Sequence, residues 1–228
     1  MNASEDYAQE REREAMVREQ IERRGIRNPK VLDAMRTVPR HLFVPLNERH
    51  WAYSDGALRI EAGQTISQPY IVALMTELMG LQGGETVLEV GTGSGYQAAV
   101  LAQIAGQVYS IERQPALAES ARQILAMLEI TNVDVHVGDG TRGLPAYAPF
   151  QAITVTAAAP SVPKSLLDQL AEGGSLVIPV GGKYSQTLEV WQRQGPRYTH
   201  EAITGVAFVP LLGEEGWQES DWEKSRLW

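Results

Sequence analysis

Beyond Gly80 the chain alternates short apolar runs with longer amphipathic segments, and this alternation limits the folds open to it. The apolar runs suit buried strands, which are predicted at 86–90, 107–111, 133–137, 152–155 and 175–178. Between them, helices are predicted at 96–104, 115–129 and 163–171. Helical crossovers join parallel strands, so the sequence predicts an α/β fold with a mostly parallel, doubly wound sheet.

The two ends of the chain follow other patterns. Residues 1–80 carry helical patterns at 6–24, 30–36 and 70–79, and predict an N-terminal helical region packed on the core. After Gly182, apolar runs at 187–192, 198–203 and 206–209 predict strands that give the sheet an antiparallel end. We expect residues 1–80 and 81–212 to form one structural domain, followed by an acidic tail at 213–228.

Composition excludes several kinds of site and partner. The chain has no cysteine, and its four histidines lack the spacing of metal ligands, so no disulfide and no metal site are expected. A formal net charge of −8 disfavours a nucleic-acid partner. No apolar run approaches the ~18 residues that span a bilayer, and the charged start does not resemble a signal peptide. A cytosolic monomer without membrane contact is expected.

A glycine-rich turn follows the strand predicted at 86–90, in the sequence VLEVGTGSGY (87–96). A dinucleotide-binding loop would place its third glycine at position 96, where Tyr96 stands instead. The carboxylate of Glu89, near the strand end, gives no electrostatic attraction for a pyrophosphate, which is also an anion. It does attract a ligand that carries a cationic sulfonium and an ammonium group. The loop therefore predicts an S-adenosylmethionine site at the carboxyl end of this strand.

Two further acids follow the next two strands. Glu112 can accept hydrogen bonds from both ribose hydroxyls, and Asp139, between Gly138 and Gly140, can accept one from the adenine amino group. Each also has a structural interpretation, because Glu112 precedes a helix and an Asp-Gly pair is common in turns. Three acids after three successive strands meet at one crevice, which favours cofactor binding.

Taken together, these segments resemble the protein-L-isoaspartate (D-aspartate) O-methyltransferase family, and the resemblance extends to about Leu212. It is carried by MVREQI (16–21), VPRHLFVP (38–45), GQTISQPY (63–70), the glycine loop, Gly138-Asp139-Gly140, TAAAP (156–160) and FVPL (208–211). The resemblance implies a Rossmann-like, S-adenosylmethionine-dependent methyltransferase fold. The acidic stretch after Leu212 is interpreted as an addition to the family pattern.

The resemblance also implies roles for individual residues. Ser67 takes the position of the family's active-site hydroxyl, although a serine before a proline-initiated helix is also a common N-cap. The implied cofactor contacts are Glu89, Gly91, Thr92, Gly93, Ser94, Gly95, Glu112, Arg113, Asp139 and Gly140. The implied substrate contacts are Thr65, Ile66, Gln68, Pro69, Tyr70 and Val209.

The implied reaction moves a methyl group from S-adenosylmethionine to the α-carboxylate of an isoaspartyl residue in a damaged protein. It yields a methyl ester and S-adenosylhomocysteine. A carboxyl group with a pKa near ~3.9 is ionised at pH 7, so no general base is needed. Two alternatives remain open: a same-fold methyltransferase of a small molecule or RNA, and a non-catalytic module that binds the cofactor or a partner. Neither accounts as well for the segment 65–70 together with the three acids.

Overall fold

The structure is a computed structural model that describes residues 3–220. Its strands are β1 (Leu58–Arg59), β2 (Thr65–Ile66), β3 (Thr86–Val90), β4 (Gln107–Glu112), β5 (Val133–Val137), β6 (Phe150–Val155), β7 (Leu170–Gly182), β8 (Ser185–Gln194) and β9 (Arg197–Val206). Its α-helices are α1 (Ala3–Met16), α2 (Pro29–Thr37), α3 (Pro69–Leu78), α4 (Tyr96–Ala102), α5 (Pro115–Met127) and α6 (Lys164–Asp168). None of these described helices has an apolar stretch long enough to cross a bilayer.

Seven strands form one sheet in the order β5-β4-β3-β6-β7-β8-β9. The pairs from β5 to β7 are parallel, and β8 and β9 are added antiparallel. This confirms the predicted mostly parallel sheet with an antiparallel end. The chain runs outward from β3 to β5 and returns to β6 on the other side of β3. Such a reversal opens a crevice at the carboxyl end of β3, where ligands bind in open α/β sheets.

Several predicted bounds shift by a few residues, and two predicted segments differ from the structure in kind. The helix predicted at 163–171 ends at Asp168, and Leu170 already pairs with Phe150 as the first residue of a 13-residue strand. Apolar residues at this spacing fit either period, and the sheet partner decides between them. The strand predicted at 206–209 was wrong, because β9 ends at Val206 and the Phe208 N–H donates to the Gln186 side chain.

The N-terminal region shares its core with the sheet. Helix α1 continues into a π-helical turn (Val17–Ile21) and a 3-10 turn (Glu22–Arg24), and Gly25 ends it at φ +103°. Buried apolar side chains of the first turn pack in one cluster with those of α2, α3, β3 and β4. This shared core holds the segment between α2 and α3 against the crevice. The division into residues 1–80, 81–212 and 213–228 stays a prediction.

Candidate active site

The glycine loop after β3 needs backbone conformations that other residues rarely adopt. Gly91, Gly93 and Gly95 have φ values of +96°, +52° and +87°. A Cβ on Gly91 would lie 2.4 Å from the Thr156 Oγ1, and that hydroxyl donates to the Gly91 carbonyl at 2.5 Å. This hydrogen bond joins the loop after β3 to the end of β6. Without side chains, the glycines leave the loop backbone accessible from the crevice.

A cleft lies beside this loop, and we call it the loop cleft. Its lining includes Gln64, Thr65, Gly91, Gly93, Glu112, Arg113, Gly140, Thr156 and Val209. The Glu112 carboxylate accepts hydrogen bonds from the Gly93 N–H and the Gln114 N–H, each at 2.9 Å. Glu112 is therefore a wall of the cleft and also a support of the glycine loop. No group of three or more acidic or histidine side chains arranged to hold a metal is found within residues 3–220.

Glu89 lies beneath the glycine loop and does not line the loop cleft. Its carboxylate is fully buried, and Oε2 accepts from the Ser110 hydroxyl, which is itself hydrogen-bonded to Thr92 at 2.5 Å. Within the described residues, Oε1 has no hydrogen-bond partner of normal geometry. Burial, together with the charge of Glu112, raises the pKa of Glu89 to about 8, against the opposing effect of Ser110 and of the nearby Ala98 N–H. Its link to the cleft is thus indirect, through Ser110 and Thr92.

Asp139 is engaged by the chain itself. Its Oδ1 accepts from the Thr141 N–H at 2.9 Å and the Thr141 hydroxyl at 2.7 Å, and Oδ2 accepts from the Glu214 N–H at 2.8 Å. Burial would raise the pKa of Asp139, but these hydrogen bonds and the Arg142 charge lower it. The carboxylate keeps limited acceptor capacity for another partner. Asp139 does not line the loop cleft, whereas Gly140 does.

The segment after Leu212 belongs to this arrangement rather than to a detached tail. Glu214 contacts Arg142 at 2.9 Å, the Glu215 carboxylate accepts from the Ser165 N–H at 3.0 Å, and Glu219 contacts Arg113 at 2.9 Å. These contacts hold the chain across the end of β5. Residues 221–228 of the predicted tail lie outside the described residues.

A larger groove of about 560 Å³ adjoins the loop cleft. Its lining includes Arg24, Thr65, Ser67, Gln68, Tyr70, Thr156, Tyr184, Thr204 and Phe208. Thr65 and Thr156 line both the groove and the loop cleft, so the two spaces meet at these side chains. Thr156 was not predicted from the sequence. The signal was available, because Thr156 directly follows the strand β6 that neighbours β3.

Ser67 lies where the groove approaches the glycine loop. It lines the groove and also a small cavity that it shares with Thr92, Gly93 and Ser94. The N-cap interpretation of Ser67 was wrong, since Gln68 occupies the N-cap of α3 and no side chain caps that helix. The Ser67 hydroxyl has no hydrogen-bond partner within residues 3–220. It is therefore available to a ligand at the N-terminus of α3.

The remaining predicted residues are distributed between surface and core. Gln68 and Tyr70 line the groove, whereas Ile66 and Pro69 are buried, and Ile66 lines the small cavity beside Ser67. Val209 lines the loop cleft, and its neighbour Phe208 faces the groove. Gly95 precedes α4, where a Cβ would lie 3.1 Å from that of Ala121. Its requirement is close packing and positive φ rather than an exposed wall of either cavity.

Comparison with known proteins shows which family this chain resembles. The family model "Protein-L-isoaspartate(D-aspartate) O-methyltransferase" matches residues 11–216, so the family pattern continues beyond Leu212. The chain is 53% identical to the protein-L-isoaspartate O-methyltransferase of Methanoculleus marisnigri, over 91% of this chain and 94% of that one. It is 55% identical to protein-L-isoaspartate O-methyltransferase 2 of Pelobacter propionicus, over 95% and 97% of the two chains.

Solved structures agree with the sequence relatives. A protein-L-isoaspartate O-methyltransferase superposes with a TM-score of 0.80 at 30% identity, over 90% of this chain and 67% of that one. A Plasmodium falciparum protein assigned to the same activity, solved in complex with S-adenosyl-L-homocysteine, gives a TM-score of 0.77 at 26% identity, over 88% and 98% of the chains. The resemblance stated from the sequence is confirmed: the chain belongs to the protein-L-isoaspartate (D-aspartate) O-methyltransferase family.

Proposed function

We propose that this protein transfers the methyl group of S-adenosylmethionine to the α-carboxylate of isoaspartyl residues in proteins. The observation that carries the proposal is the position of Ser67. Its unpaired hydroxyl faces the groove on one side and the glycine-loop cavity on the other. A hydroxyl at this position can orient an acceptor carboxylate in the groove towards the methyl group of a cofactor bound at the glycine loop.

The loop cleft fits the cofactor by the chemistry of its walls. Glu112 presents a carboxylate that suits a ribose diol, and Gly91, Gly93 and Gly140 leave backbone surface for close approach. Thr92 and Ser94 line the small cavity next to Ser67, and Arg113 lines the loop cleft. When bound, S-adenosylmethionine supplies an electrophilic methyl group on a cationic sulfur.

Glu89 supports this cleft from behind. It holds Ser110 and, through Ser110, the hydroxyl of Thr92 in the glycine loop. We expect it to act on the cofactor through the loop and through its negative charge when ionised. A direct contact between Asp139 and the adenine stays a prediction, since its carboxylate already accepts three hydrogen bonds.

In the groove, the residues of the segment 65–70 orient the acceptor. Ser67 donates a hydrogen bond to one carboxylate oxygen and leaves the other free for attack. The N-terminus of α3 lies beside Ser67, and the positive end of the helix dipole favours an anion at this place. Because the nucleophile is already ionised, catalysis rests on alignment, which can supply ~7–11 kcal/mol in favourable cases.

The test of Ser67 is a Ser67→Ala variant assayed with an isoaspartyl peptide. We expect turnover to fall by about 10- to 100-fold with nearly unchanged cofactor affinity, since one orienting hydrogen bond is lost. Ser161→Ala is the matched control, because Ser161 is exposed and lines neither cavity. Wild-type turnover in Ser67→Ala would remove Ser67 from the mechanism.

The substrate assignment is tested with paired peptides that contain isoaspartate or aspartate at the same position. Labelled methyl from S-adenosylmethionine is expected only on the isoaspartyl peptide. Cofactor binding without labelling of either peptide would favour a different acceptor, such as a small molecule or RNA. The expected cytosolic location, the monomeric state and the absence of a nucleic-acid partner stay predictions.

A further inference from the structure

A cationic side chain lines the groove in a protein whose formal net charge is −8. Among the described residues that line it, Arg24 is the one with a charged side chain. The other lining side chains are hydroxyl, amide, aromatic or aliphatic groups. Arg24 therefore presents a positive charge to the groove, which its ion pair with Asp55 offsets only from outside the lining.

Neighbouring side chains hold the Arg24 guanidinium in place. It lies over the Tyr70 ring, 3.5 Å from the ring centroid, and its Nη1 contacts Asp55 at 3.3 Å. Asp55 also accepts from the Gln68 Nε2 at 2.7 Å. Stacking on an aromatic face and pairing with a carboxylate are both favourable for arginine, and together they restrict its rotamers.

This arrangement directs the cation towards the groove. Arg24 lines the groove, whereas its carboxylate partner Asp55 does not. A guanidinium has five N–H donors, and Nη1 is the atom directed at Asp55. Within residues 3–220, Nε and Nη2 have no hydrogen-bond acceptor, so donors of Arg24 remain for a ligand.

We propose that Arg24 is a specificity-determining residue of the groove, which selects isoaspartyl sites flanked by an acidic side chain. The inference rests on the proposed function, with the reacting carboxylate held at Ser67 and a second carboxylate of the peptide at Arg24. Gln68 follows Ser67 in the chain and donates to Asp55, the partner of Arg24, so we expect the flanking acid within about three residues of the isoaspartyl residue, at ~3.3 Å per extended residue.

The test compares isoaspartyl peptides that differ at one flanking position. Glu, Gln and Lys are placed in turn at each of the three positions before and after the isoaspartyl residue, and kcat/KM is measured. For the wild-type protein we expect the best Glu peptide to exceed its Gln counterpart by about 1.5- to 5-fold, the range of a half-exposed ion pair. The Lys peptide should be the poorest of the three.

Arg24→Gln should bring the Glu-to-Gln ratio close to one, and Arg24→Lys should retain most of the preference. Arg197→Gln is the matched control, because it removes the same charge from an exposed site at the opposite end of β9. Raising the salt concentration should reduce the wild-type ratio, since a half-exposed pair is screened.

Two results would overturn the inference. An equal loss of kcat/KM for all peptides in Arg24→Gln would assign Arg24 to support of Asp55 and Gln68 alone. A wild-type ratio near one would show that the groove does not select for acidic neighbours. Failure of the wild-type protein to methylate any of these peptides would instead overturn the proposed function itself.

Discussion

Replacing Glu89 by glutamine should stabilise the cofactor-free protein, and the gain should grow with pH. Glutamine has nearly the shape of a protonated glutamate and can still accept from Ser110 through its carbonyl oxygen. Unlike glutamate, it cannot ionise inside the protein. The substitution therefore isolates the free energy of placing one negative charge beneath the glycine loop.

The magnitude follows from the two pKa values of the group. Burial raises the pKa of Glu89 from 4.5 to about 8 in the folded protein. Between these values the folded state keeps a proton that the unfolded state releases, so wild-type stability falls as pH rises. The fall is about 1.4 kcal/mol per pH unit, and reaches about 3 kcal/mol at pH 7. Below pH 4.5 this contribution of Glu89 is absent.

Urea unfolding of both proteins without cofactor, at pH 5, 6, 7 and 8, measures this difference. The free energy of unfolding of Glu89→Gln minus that of wild type should rise steadily over the series. Glu201→Gln is the control, since this glutamate is exposed on β9 and its substitution should give a flat difference. A flat difference for Glu89→Gln as well would refute the assignment of a buried, protonated carboxyl group.

Three other predictions concern the glycine loop, the loop cleft and a buried glutamine that follows α6. Gly91→Ala should destabilise the protein by at least ~2 kcal/mol, because of its positive φ and the clash with Thr156, and Thr156→Ala should recover part of that loss in a thermal unfolding assay. Glu112→Ala should weaken S-adenosylmethionine binding by about 1.5–3 kcal/mol, measured by calorimetry, and wild-type affinity would count against a ribose contact. Gln169→Ala should cost about 1–3 kcal/mol in urea unfolding, because the partly buried Leu144 N–H would lose its acceptor in the side chain of the buried Gln169, and an unchanged midpoint would contradict this.

The sequence predicted most of the parallel half of the sheet, because buried parallel strands and their crossover helices have distinct periods. The strands at 86–90 and 133–137 were predicted with the bounds that the structure shows. The end of α6 was missed because Leu166, Leu167 and Leu170 fit a helix locally, while pairing of Leu170 with β6 is a long-range contact. The absence of a strand at 206–209 likewise depends on the distant Gln186.

For the candidate site, the sequence by itself determined which residues gather at the carboxyl ends of the strands. The glycine spacing and the acids Glu89, Glu112 and Asp139 are local features, and the order of the strands brings them to one edge. The different roles of the three acids depend on the direction in which each side chain points. Only the tertiary structure places Glu112 in the cleft wall, Glu89 beneath the loop and Asp139 under the segment after Leu212.

For the groove, too, the local sequence predicts some features and contacts between distant residues decide the others. The segment 65–70 could be singled out from its sequence, and with it Ser67. That the Ser67 hydroxyl is not a helix cap, and that Arg24 stacks on Tyr70, follows from contacts between residues distant in the chain. Periodicity reports which side of an element is buried, whereas partners across the fold decide which atoms remain free to bind a ligand.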